Sequence, residues 1–390
     1  MRKLTVQELA LIVDNYLADN YDFRNNCISG KSEVRRKANL ESPVGEWQVV
    51  TTTVLNSIVR KAEMDGVGDT TSPQKFILQY INSDAIPAYD PVNEYLDGLP
   101  EWDGKDHVAE LFGRIPGISE EQRGWCATWL RSAVAHWMNL DMLHGNECAP
   151  ILIGDQGCGK STFANRLLPA HLRTYFLDHI NFGNKFDCDM ALTHNLMVNI
   201  DEFANMGPSQ QGKLKQTLSR VKVNGRPIFG KSQEDRRRYA SFIATTNDLH
   251  PLCDPTGSRR FPCIRIPRGM FIDNATPIDY DQLYAQVVHE LKKGMPYWFN
   301  NDEVARIQKA NTRFMRTNNM ETAIAQCYRV PEENEAGEWI SSDSILERVQ
   351  SLYPSLKATK IKVGLTLRTL GCQSKHTRNG AEYQLIPCAA

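Results

Sequence analysis

The sequence predicts an α/β protein in which a largely parallel sheet carries helices on its faces. Short apolar segments recur at residues 149–153, 196–200 and 241–245, and helical or irregular stretches separate them. A glycine-rich turn follows the first segment and leads into a helix. A helical N-terminal region is expected before the sheet, and a small unit of two helices and a hairpin is expected after it.

The composition is that of a globular protein without a strong charge bias. The 390 residues are 41% hydrophobic and carry a formal net charge of -1, which fits two or three domains with buried cores. Because the total charge is close to zero, any nucleic-acid surface must come from local basic clusters. The ten cysteines form no C-x-x-C pair, which argues against a zinc ribbon, a redox pair or a disulfide framework and favours reduced thiols.

The chain shows no sign of a membrane segment or a signal peptide. No stretch approaches 18 consecutive apolar residues, and acidic residues interrupt the N-terminal segment where a signal peptide needs an apolar core. We therefore expect a cytoplasmic protein without a membrane partner.

Changes of pattern along the chain predict three domains. A connector rich in Pro, Gly and Asp ends the first, and an acidic linker after Val330 ends the second. Ahead of the sheet, residues 120–142 carry an apolar stripe at helical spacing, which predicts core packing rather than a ligand platform. The predicted domains are an N-terminal accessory domain at 1–100, a helical collar with the sheet at 101–330, and a terminal unit at 339–390.

The glycine-rich turn matches the phosphate-binding pattern G-x-x-x-x-G-K-[ST]. It lies between a strand and a helix, as that pattern requires. Glycines let the backbone approach a phosphate closely, and the N-terminus of the helix attracts the anion. Lys160 is expected to reach the β and γ phosphates of ATP, and the Ser161 hydroxyl to bind Mg²⁺. The expected nucleotide contacts are Gly154, Asp155, Gln156, Gly157, Cys158, Gly159, Lys160, Ser161 and Thr162.

Two further strands end in polar residues that fit the same site. After the second strand, Asp201 is expected to hold the magnesium and Glu202 to act as general base for the attacking water. A cap for the next helix is the alternative for this acidic pair. After the third strand, the Asn247 amide can hydrogen-bond that water and contact the γ phosphate. A turn former is the alternative for Asn247.

Arg259 and Arg260 follow on a loop that Pro255 and Gly257 shape. A guanidinium there can reach a phosphate in a neighbouring subunit and stabilise charge in the transition state. Sites shared in this way predict a closed ring with head-to-tail contacts. Ordinary surface ion pairs are the alternative, and either arginine fits the catalytic role.

Two basic clusters point to DNA. Residues 213–238 hold nine Lys or Arg against two acids, around a hairpin predicted to turn at Asn224-Gly225. Residues 348–382 hold seven against one, in a helix, helix, hairpin pattern that predicts a winged helix. The alternatives are a solvated charged face for the first cluster and a protein-interaction module for the second. The candidate DNA contacts are Lys222, Arg226, Lys231, Arg236, Arg237, Arg238, Lys360, Lys362, Arg368, Lys375 and Arg378.

Five segments occur in a characteristic order: VNEYLDGLPEWDGKDHVAEL, GDQGCGKST, NIDEF, ATTND and DPTGSRRFP. As a set they resemble the virulence-associated protein E family of phage and mobile-element proteins. That family is similar to superfamily 3 helicases and to poxvirus-type primase-helicase ATPases, which have an AAA+ core. The resemblance covers most of Val92 to Ile266. It implies phosphate and magnesium binding by Gly159, Lys160 and Ser161, metal and water roles for Asp201 and Glu202, a sensor role for Asn247, and a finger role for Arg259 or Arg260.

The resemblance also implies ATP hydrolysis, hexameric rings and movement along single-stranded DNA, with other replication proteins as partners in a bacterial host cell. Many relatives carry an upstream primase domain, but residues 1–100 are too short for one and lack clustered metal-binding carboxylates. The predicted function is an ATP-hydrolysing DNA helicase, translocase or helicase loader. The alternative is an ATP-controlled DNA-binding switch or host-interference protein without unwinding activity. A small-molecule kinase is least favoured, because it would need a substrate lid and an acceptor site.

Overall fold

The fold was determined as a computed structural model. None of the helices it describes is long and apolar enough to cross a bilayer, and all ten cysteines are free thiols. The described residues are 5–39, 42–68, 71–140, 146–180, 182–225, 234–254, 257–316, 320–331, 335–354, 356–377 and 380–388.

The N-terminal region combines helices with a four-stranded sheet of order β3-β2-β1-β4. The strand β4 pairs with β1 in parallel, and the other pairs are antiparallel. The elements are α1 (Val6–Asn20), β1 (Tyr21–Asn26), β2 (Lys31–Arg36), β3 (Gln48–Val49), α2 (Thr52–Met64), α3 (Gln74–Ile81) and β4 (Ala88–Tyr89).

This sheet corrects the expectation of a helical N-terminal region. The strands β1 and β2 consist mostly of polar residues and therefore show no clear apolar pattern. Their contacts to the local hydrophobic core come from Tyr21, Phe23 and Val34. The charged residues pair across the strands, as in the 2.7 Å contact between Arg24 Nε and Glu33 Oε2. Cross-strand pairs of this kind stabilise a sheet without adding to its hydrophobic pattern.

A five-stranded parallel sheet of order β11-β5-β10-β7-β6 lies at the centre of the chain. It confirms the predicted α/β class. The elements of this region are α4 (Pro91–Asp97), α5 (His107–Gly113), α6 (Glu120–Trp137), β5 (Ile151–Ile153), α7 (Lys160–Asn165), β6 (Phe176–Leu177), α8 (Lys185–His194), β7 (Met197–Ile200), α9 (Pro208–Leu218), β8 (Lys222–Gly225), β9 (Glu234–Arg237), β10 (Ser241–Thr246), β11 (Cys263–Arg265), α10 (Tyr280–Lys292) and α11 (Asn301–Asn311).

Helices α4 and α6 build the core beside this sheet. Trp129 and Trp137 of α6 are almost fully buried, as the helical stripe predicted. The predicted connector contains α4, whose Val92 and Leu96 pack in the same hydrophobic cluster as α6. Ile86, only a few residues earlier, packs in the N-terminal cluster. The change from one core to the next therefore falls between Ile86 and Val92.

The basic segment forms a hairpin, but its turn is not at Asn224-Gly225. Asn224 and Gly225 lie inside β8 and pair with Asp235 and Glu234 of β9. Asn224 also donates a 2.9 Å hydrogen bond to the Asp235 carboxylate. Cross-strand pairing thus overrides the local turn signal, and the connection falls in residues 226–233, outside the described part of the chain.

The C-terminal unit has the predicted helix, helix and hairpin. Helix α12 packs in the same hydrophobic cluster as α13 and α14, although it lies ahead of the predicted acidic linker. Gly380 pairs with Thr377 as the first residue of β15, whereas it was expected in the turn, and Asn379 of that expected turn lies outside the described residues. The elements are α12 (Met320–Cys327), β12 (Tyr328–Arg329), β13 (Glu338–Ser341), α13 (Ser342–Leu352), α14 (Lys360–Thr369), β14 (Ser374–Thr377) and β15 (Gly380–Pro387).

Candidate functional site

Three adjacent strands of the central sheet end at the same edge. Ile153, at the end of β5, is in register with Thr246 of β10, and Ile200 of β7 is in register with Ala244 of β10. Because β10 lies between β5 and β7, the residue that follows it stands between the glycine-rich loop and the acidic pair. The sheet topology therefore brings together three motifs that are far apart in sequence.

The glycine-rich loop has a conformation that requires glycine. Gly157 and Gly159 have φ angles of +81° and +92°, which other residues rarely adopt. A Cβ atom at Gly159 would also lie 2.5 Å from the Asn274 Nδ2 atom. Asn274 uses that nitrogen to donate a 2.9 Å hydrogen bond to the Gly159 carbonyl. The segment that follows β11 thus packs against the glycine-rich loop and fixes the conformation of Gly159.

Lys160 is a buried cation with neutral partners. Lys160 is 7% exposed. Its ammonium donates hydrogen bonds to the carbonyls of Gly154 and Asp155 at 2.8 and 2.7 Å. It also donates to Asn247 Oδ1 at 3.0 Å. Among the described residues no carboxylate forms an ion pair with it. A buried charge that only dipoles compensate favours an anionic ligand, and a polyphosphate fits that requirement.

The acidic pair faces the same cavity. Asp201 Oδ1 accepts a 2.5 Å hydrogen bond from the Thr245 hydroxyl, and Glu202 accepts one from the Asn205 amide. Both carboxylates are exposed. Together with Lys160 and Asn247, they line a cavity of about 250 Å³ that contains the residues from Gln156 to Thr162 except Cys158.

The donor set of this cavity fits magnesium in complex with a nucleotide. Magnesium prefers hard oxygen ligands and commonly takes one or two carboxylates together with phosphates. Asp201 and Ser161, which both line the cavity, supply such oxygens. In the part of the chain that the structure describes, no three His, Cys, Asp or Glu side chains cluster as a self-sufficient metal site. A magnesium ion here would thus need the phosphates as additional ligands.

Arg259 and Arg260 lie at the opposite edge of the sheet. The Arg260 carbonyl accepts a 2.8 Å hydrogen bond from Ala149, just before β5 begins, whereas the glycine-rich loop follows the end of β5. From Ala149 to Gly154 an extended chain advances about 16 Å, at roughly 3.3 Å per residue. Neither arginine lines the cavity that contains Lys160. Both arginines are therefore remote from the cavity of their own chain.

The two arginines differ in their surroundings. The Arg260 guanidinium pairs with Glu147 at 3.2 Å and donates to the Ser219 hydroxyl at 3.1 Å. Arg259 is exposed. Both line a second cleft of about 490 Å³ together with Trp129 of α6.

The basic hairpin presents fewer charges than its sequence implies. Arg238 is completely buried and donates to the carbonyls of Leu218, Arg220, Ala240 and Asn146. That position is incompatible with a DNA contact, so the expectation for Arg238 is corrected.

The neighbouring basic residues of the hairpin differ in how exposed their side chains are. Arg237 is 27% exposed, pairs with Asp90 and donates to the carbonyls of His136 and Trp137, which also makes it structural. Arg236 is half-buried, and Lys222 is exposed. Arg226 and Lys231 lie outside the described residues.

The basic residues of the C-terminal unit lie at its surface. Lys362 and Arg368 of α14 are exposed. Lys360 pairs with Asp343 at 2.5 Å while remaining 61% exposed. Lys375 pairs with Glu382 at 3.1 Å and lies 4.4 Å from the centre of the Trp339 ring. Arg378 lies outside the described residues.

Three further residues support the site. Thr245 orients Asp201, and Asn274 fixes Gly159, as described above. Arg316 donates to the Ala204 carbonyl at 2.9 Å and pairs with Asp248 at 3.3 Å. It thereby joins the loop after β7 to the loop after β10. Of the three, Thr245 alone was within reach of sequence reasoning, because it lies in the ATTND segment.

Two family models match this chain. A family model described as the virulence-associated protein E-like domain matches residues 96–316, and a domain of unknown function, DUF3874, matches residues 317–385. A search of curated proteins gives no match.

Two solved structures illustrate the distant structural likeness. The apo structure of the NrS-1 C-terminal region is 12% identical with a TM-score of 0.45, and the alignment covers 99% of this chain and 100% of that one. SCCmec type IV Cch, described as an active helicase, is 9% identical with a TM-score of 0.35, over 94% of this chain and 92% of that one.

Proposed function

The chain belongs to the virulence-associated protein E-like domain family, and from that premise we propose that it is an ATP-hydrolysing DNA helicase or translocase of phage or mobile-element replication. It acts as a ring, hexameric in this proposal, on single-stranded DNA. The observation that carries the proposal is the convergence of Lys160, Asp201 and Asn247 from three strand ends on one cavity. A phosphate-binding loop alone would fit many enzymes, whereas this combination fits hydrolysis of the γ phosphate.

Each side chain of the cavity has a distinct task in this proposal. Bound ATP with Mg²⁺ supplies the bond to be broken and the charge that neutralises the phosphates. Lys160 binds the β and γ phosphates, while Asp201, oriented by Thr245, and Ser161 hold the metal. Glu202 accepts a proton from the attacking water at its carboxylate, and Asn247 positions that water.

The position of the two arginines supports the proposed ring. Because Arg259 and Arg260 lie about a strand length from their own cavity, the proposal assigns them to the cavity of the neighbouring copy. Arg259 is the better candidate for the finger, since it is exposed while Arg260 is held by Glu147 and Ser219. Arg260 then anchors the loop that carries the finger.

DNA contacts are assigned to exposed basic residues. Lys222 of the hairpin is the described candidate for the ring channel, and Lys362 and Arg368 are the best placed on the C-terminal unit, which we propose to be a winged helix. Phosphate contacts of this kind position the protein without reading sequence. For the domains, we propose an accessory domain that ends before α4, an AAA+ ATPase domain, and a terminal domain that begins with α12 rather than at residue 339.

Strand displacement by the purified protein tests the function. Wild-type protein should unwind a forked duplex with ATP and Mg²⁺, and Lys160→Ala should lose ATPase activity and unwinding at least a hundredfold, because the phosphates lose their main cation. Lys185→Ala, which removes an exposed lysine from α8, is the matched control and should behave as wild type. ATP-dependent DNA binding without displacement would favour the switch, and absence of ATPase activity in the wild type would refute the proposal.

Mixing two inactive variants tests the shared sites. Lys160→Ala and Arg259→Ala should each be inactive alone, since each lacks one half of the site. In a mixture, an intact Lys160 meets an intact Arg259 at some interfaces, so ATPase activity should recover to a measurable fraction of wild type. If the mixture is as inactive as each variant alone, Arg259 does not act on the nucleotide of a neighbouring copy.

A further inference from the structure

An exposed apolar pair lies beside the glycine-rich loop. Met270 and Phe271, here called the apolar knob, are 50% and 70% exposed. The adjoining backbone is fixed, because the amide of Ile272 donates to the Cys158 carbonyl at 3.0 Å and the amide of Gly269 donates to the Asp155 carboxylate at 3.4 Å. The knob is therefore presented by an anchored segment at the same edge of the sheet as the nucleotide cavity.

The opposite edge of the sheet has a cleft lined by aromatic residues. Its volume is about 490 Å³, within the range of about 300–1,000 Å³ that holds drug-sized ligands. Tyr297, Trp298 and Phe299 line this cleft together with Arg259 and Arg260. This aromatic cleft is thus continuous with the proposed finger.

The two features match each other in chemistry and in position. The knob is apolar and adjoins the exposed Asp155 carboxylate, which accepts from the Gly269 amide, whereas the cleft is aromatic and is lined by the exposed Arg259. An arrangement that brings Arg259 to the nucleotide of a neighbour brings opposite charges together. It also brings that neighbour's knob towards the cleft. A patch and its complement on opposite edges of one molecule form a heterologous contact, which closes into a ring when the rotation allows.

We propose that the apolar knob of one copy inserts into the aromatic cleft of the next copy. This inference rests on the proposed sharing of active sites and identifies the surface that holds the shared site together. Phe271 is the anchor, because a large aromatic side chain in a pocket gives most of the energy of such a contact. The arginine and the phosphates then meet in a geometry that the apolar contact has already fixed.

Two charge-introducing variants test the contact. Phe271→Asp and Trp298→Asp should each need at least tenfold more protein than wild type to assemble in the presence of a non-hydrolysable ATP analogue, as measured by sedimentation velocity. Phe186→Asp changes an aromatic residue that is 47% exposed on α8 and should assemble as wild type. Circular dichroism melts identify any variant that is unfolded, and Phe271→Leu, which keeps an apolar anchor, should recover most of the assembly.

An equimolar mixture of the two variants gives the decisive result. Phe271→Asp retains an intact cleft and Trp298→Asp retains an intact knob, so one such contact can form, and the mixture should give dimers but no larger species. Wild-type assembly of Phe271→Asp, or a mixture without dimers, would overturn the knob-and-cleft contact. If the wild type assembles and Lys160→Ala with Arg259→Ala complement each other, the proposed function survives that failure. A wild type that stays monomeric with nucleotide and DNA would overturn both.

Discussion

The two basic clusters have nearly the same net charge in the sequence but differ in how far the fold exposes their basic side chains. In the hairpin cluster, Arg238 is fully buried and Arg237 is 27% exposed, and both donate to backbone carbonyls of other elements. In the C-terminal cluster, Lys362 and Arg368 are exposed. A guanidinium has five donors and can therefore replace missing backbone donors in a protein interior. A run of arginines is thus as compatible with a structural clamp as with a DNA surface.

The largest expected effect of this difference is on stability. Arg238→Met should lower the free energy of unfolding by on the order of 3 kcal/mol, because buried carbonyls lose their donors. Arg368→Met is the matched control for the exposed cluster and should stay within about 0.5 kcal/mol of wild type. Urea unfolding followed by circular dichroism measures both. Equal losses in the two variants would contradict the contrast between the clusters.

The next effect is on DNA binding by the exposed cluster. The double variant Lys362→Ala/Arg368→Ala should weaken single-stranded DNA binding and reduce the slope of log K against log salt by about 1.4, since each lost phosphate contact contributes about 0.7. Fluorescence anisotropy at several salt concentrations gives this slope. Lys185→Ala/Lys309→Ala removes the same charge from α8 and α11. If both double variants reduce the salt slope equally, the loss reflects the net charge of the protein and not phosphate contacts of Lys362 and Arg368.

A smaller effect concerns the attachment of the C-terminal unit to the sheet domain. His250, which follows β10, stacks on Tyr353 of the C-terminal unit with ring centres 4.3 Å apart. Burial lowers the pKa of His250, Asp248 opposes that shift, and Arg265 and Arg316 add to it. The folded protein therefore keeps this imidazole neutral at pH values where the unfolded chain protonates it.

The sign of the resulting pH dependence follows from the lowered pKa. The contribution of neutral His250 is fully present above the ordinary histidine pKa of about 6.5 and is lost as the pH falls towards the lower folded value. The melting temperature should thus decrease from pH 7.5 to 5.5, and His250→Phe, which keeps the stacking, should show a shallower decrease. The rest of the slope includes His194, whose pKa burial also lowers. Parallel curves for the two proteins would refute this role of His250.

The smallest effect is expected from the exposed part of the hairpin. Lys222→Ala should reduce the salt slope by about 0.7, since at most one phosphate contact is lost. Its stability should equal that of wild type because the side chain is exposed. If Lys222→Ala loses more DNA affinity than the C-terminal double variant, the hairpin rather than the C-terminal unit makes the larger contribution to DNA binding.

The sequence was most informative where the candidate site residues lie next to strongly apolar strands. Lys160, Asp201 and Asn247 each lie next to such a strand, and parallel pairing places all three ends at one edge. The short strands β6 and β11 have two and three residues and give almost no periodic signal. Sequence reasoning therefore predicted three strands of the central sheet and the position of the cavity, and left the outer strands undefined.

Long-range contacts explain what could not be predicted. Asn274 contacts Gly159 across 115 residues, and no local pattern distinguishes it from a loop asparagine. The burial of Arg238 depends on carbonyls that Leu218 and Asn146 supply from elsewhere. Asn224-Gly225 failed as a turn because a cross-strand partner was available at Asp235. In each case a residue from a distant element decided the outcome.

Glu202 shows how opposing requirements meet at a single position. It has left-handed backbone angles, with φ +50° and ψ 45°, which cost a residue with a Cβ on the order of 1 kcal/mol or more. Glycine would remove that cost and also the carboxylate that the proposed hydrolysis uses. Selection for stability and selection for activity therefore favour different amino acids here. A more stable protein with glycine at this position would be expected to have lost its turnover.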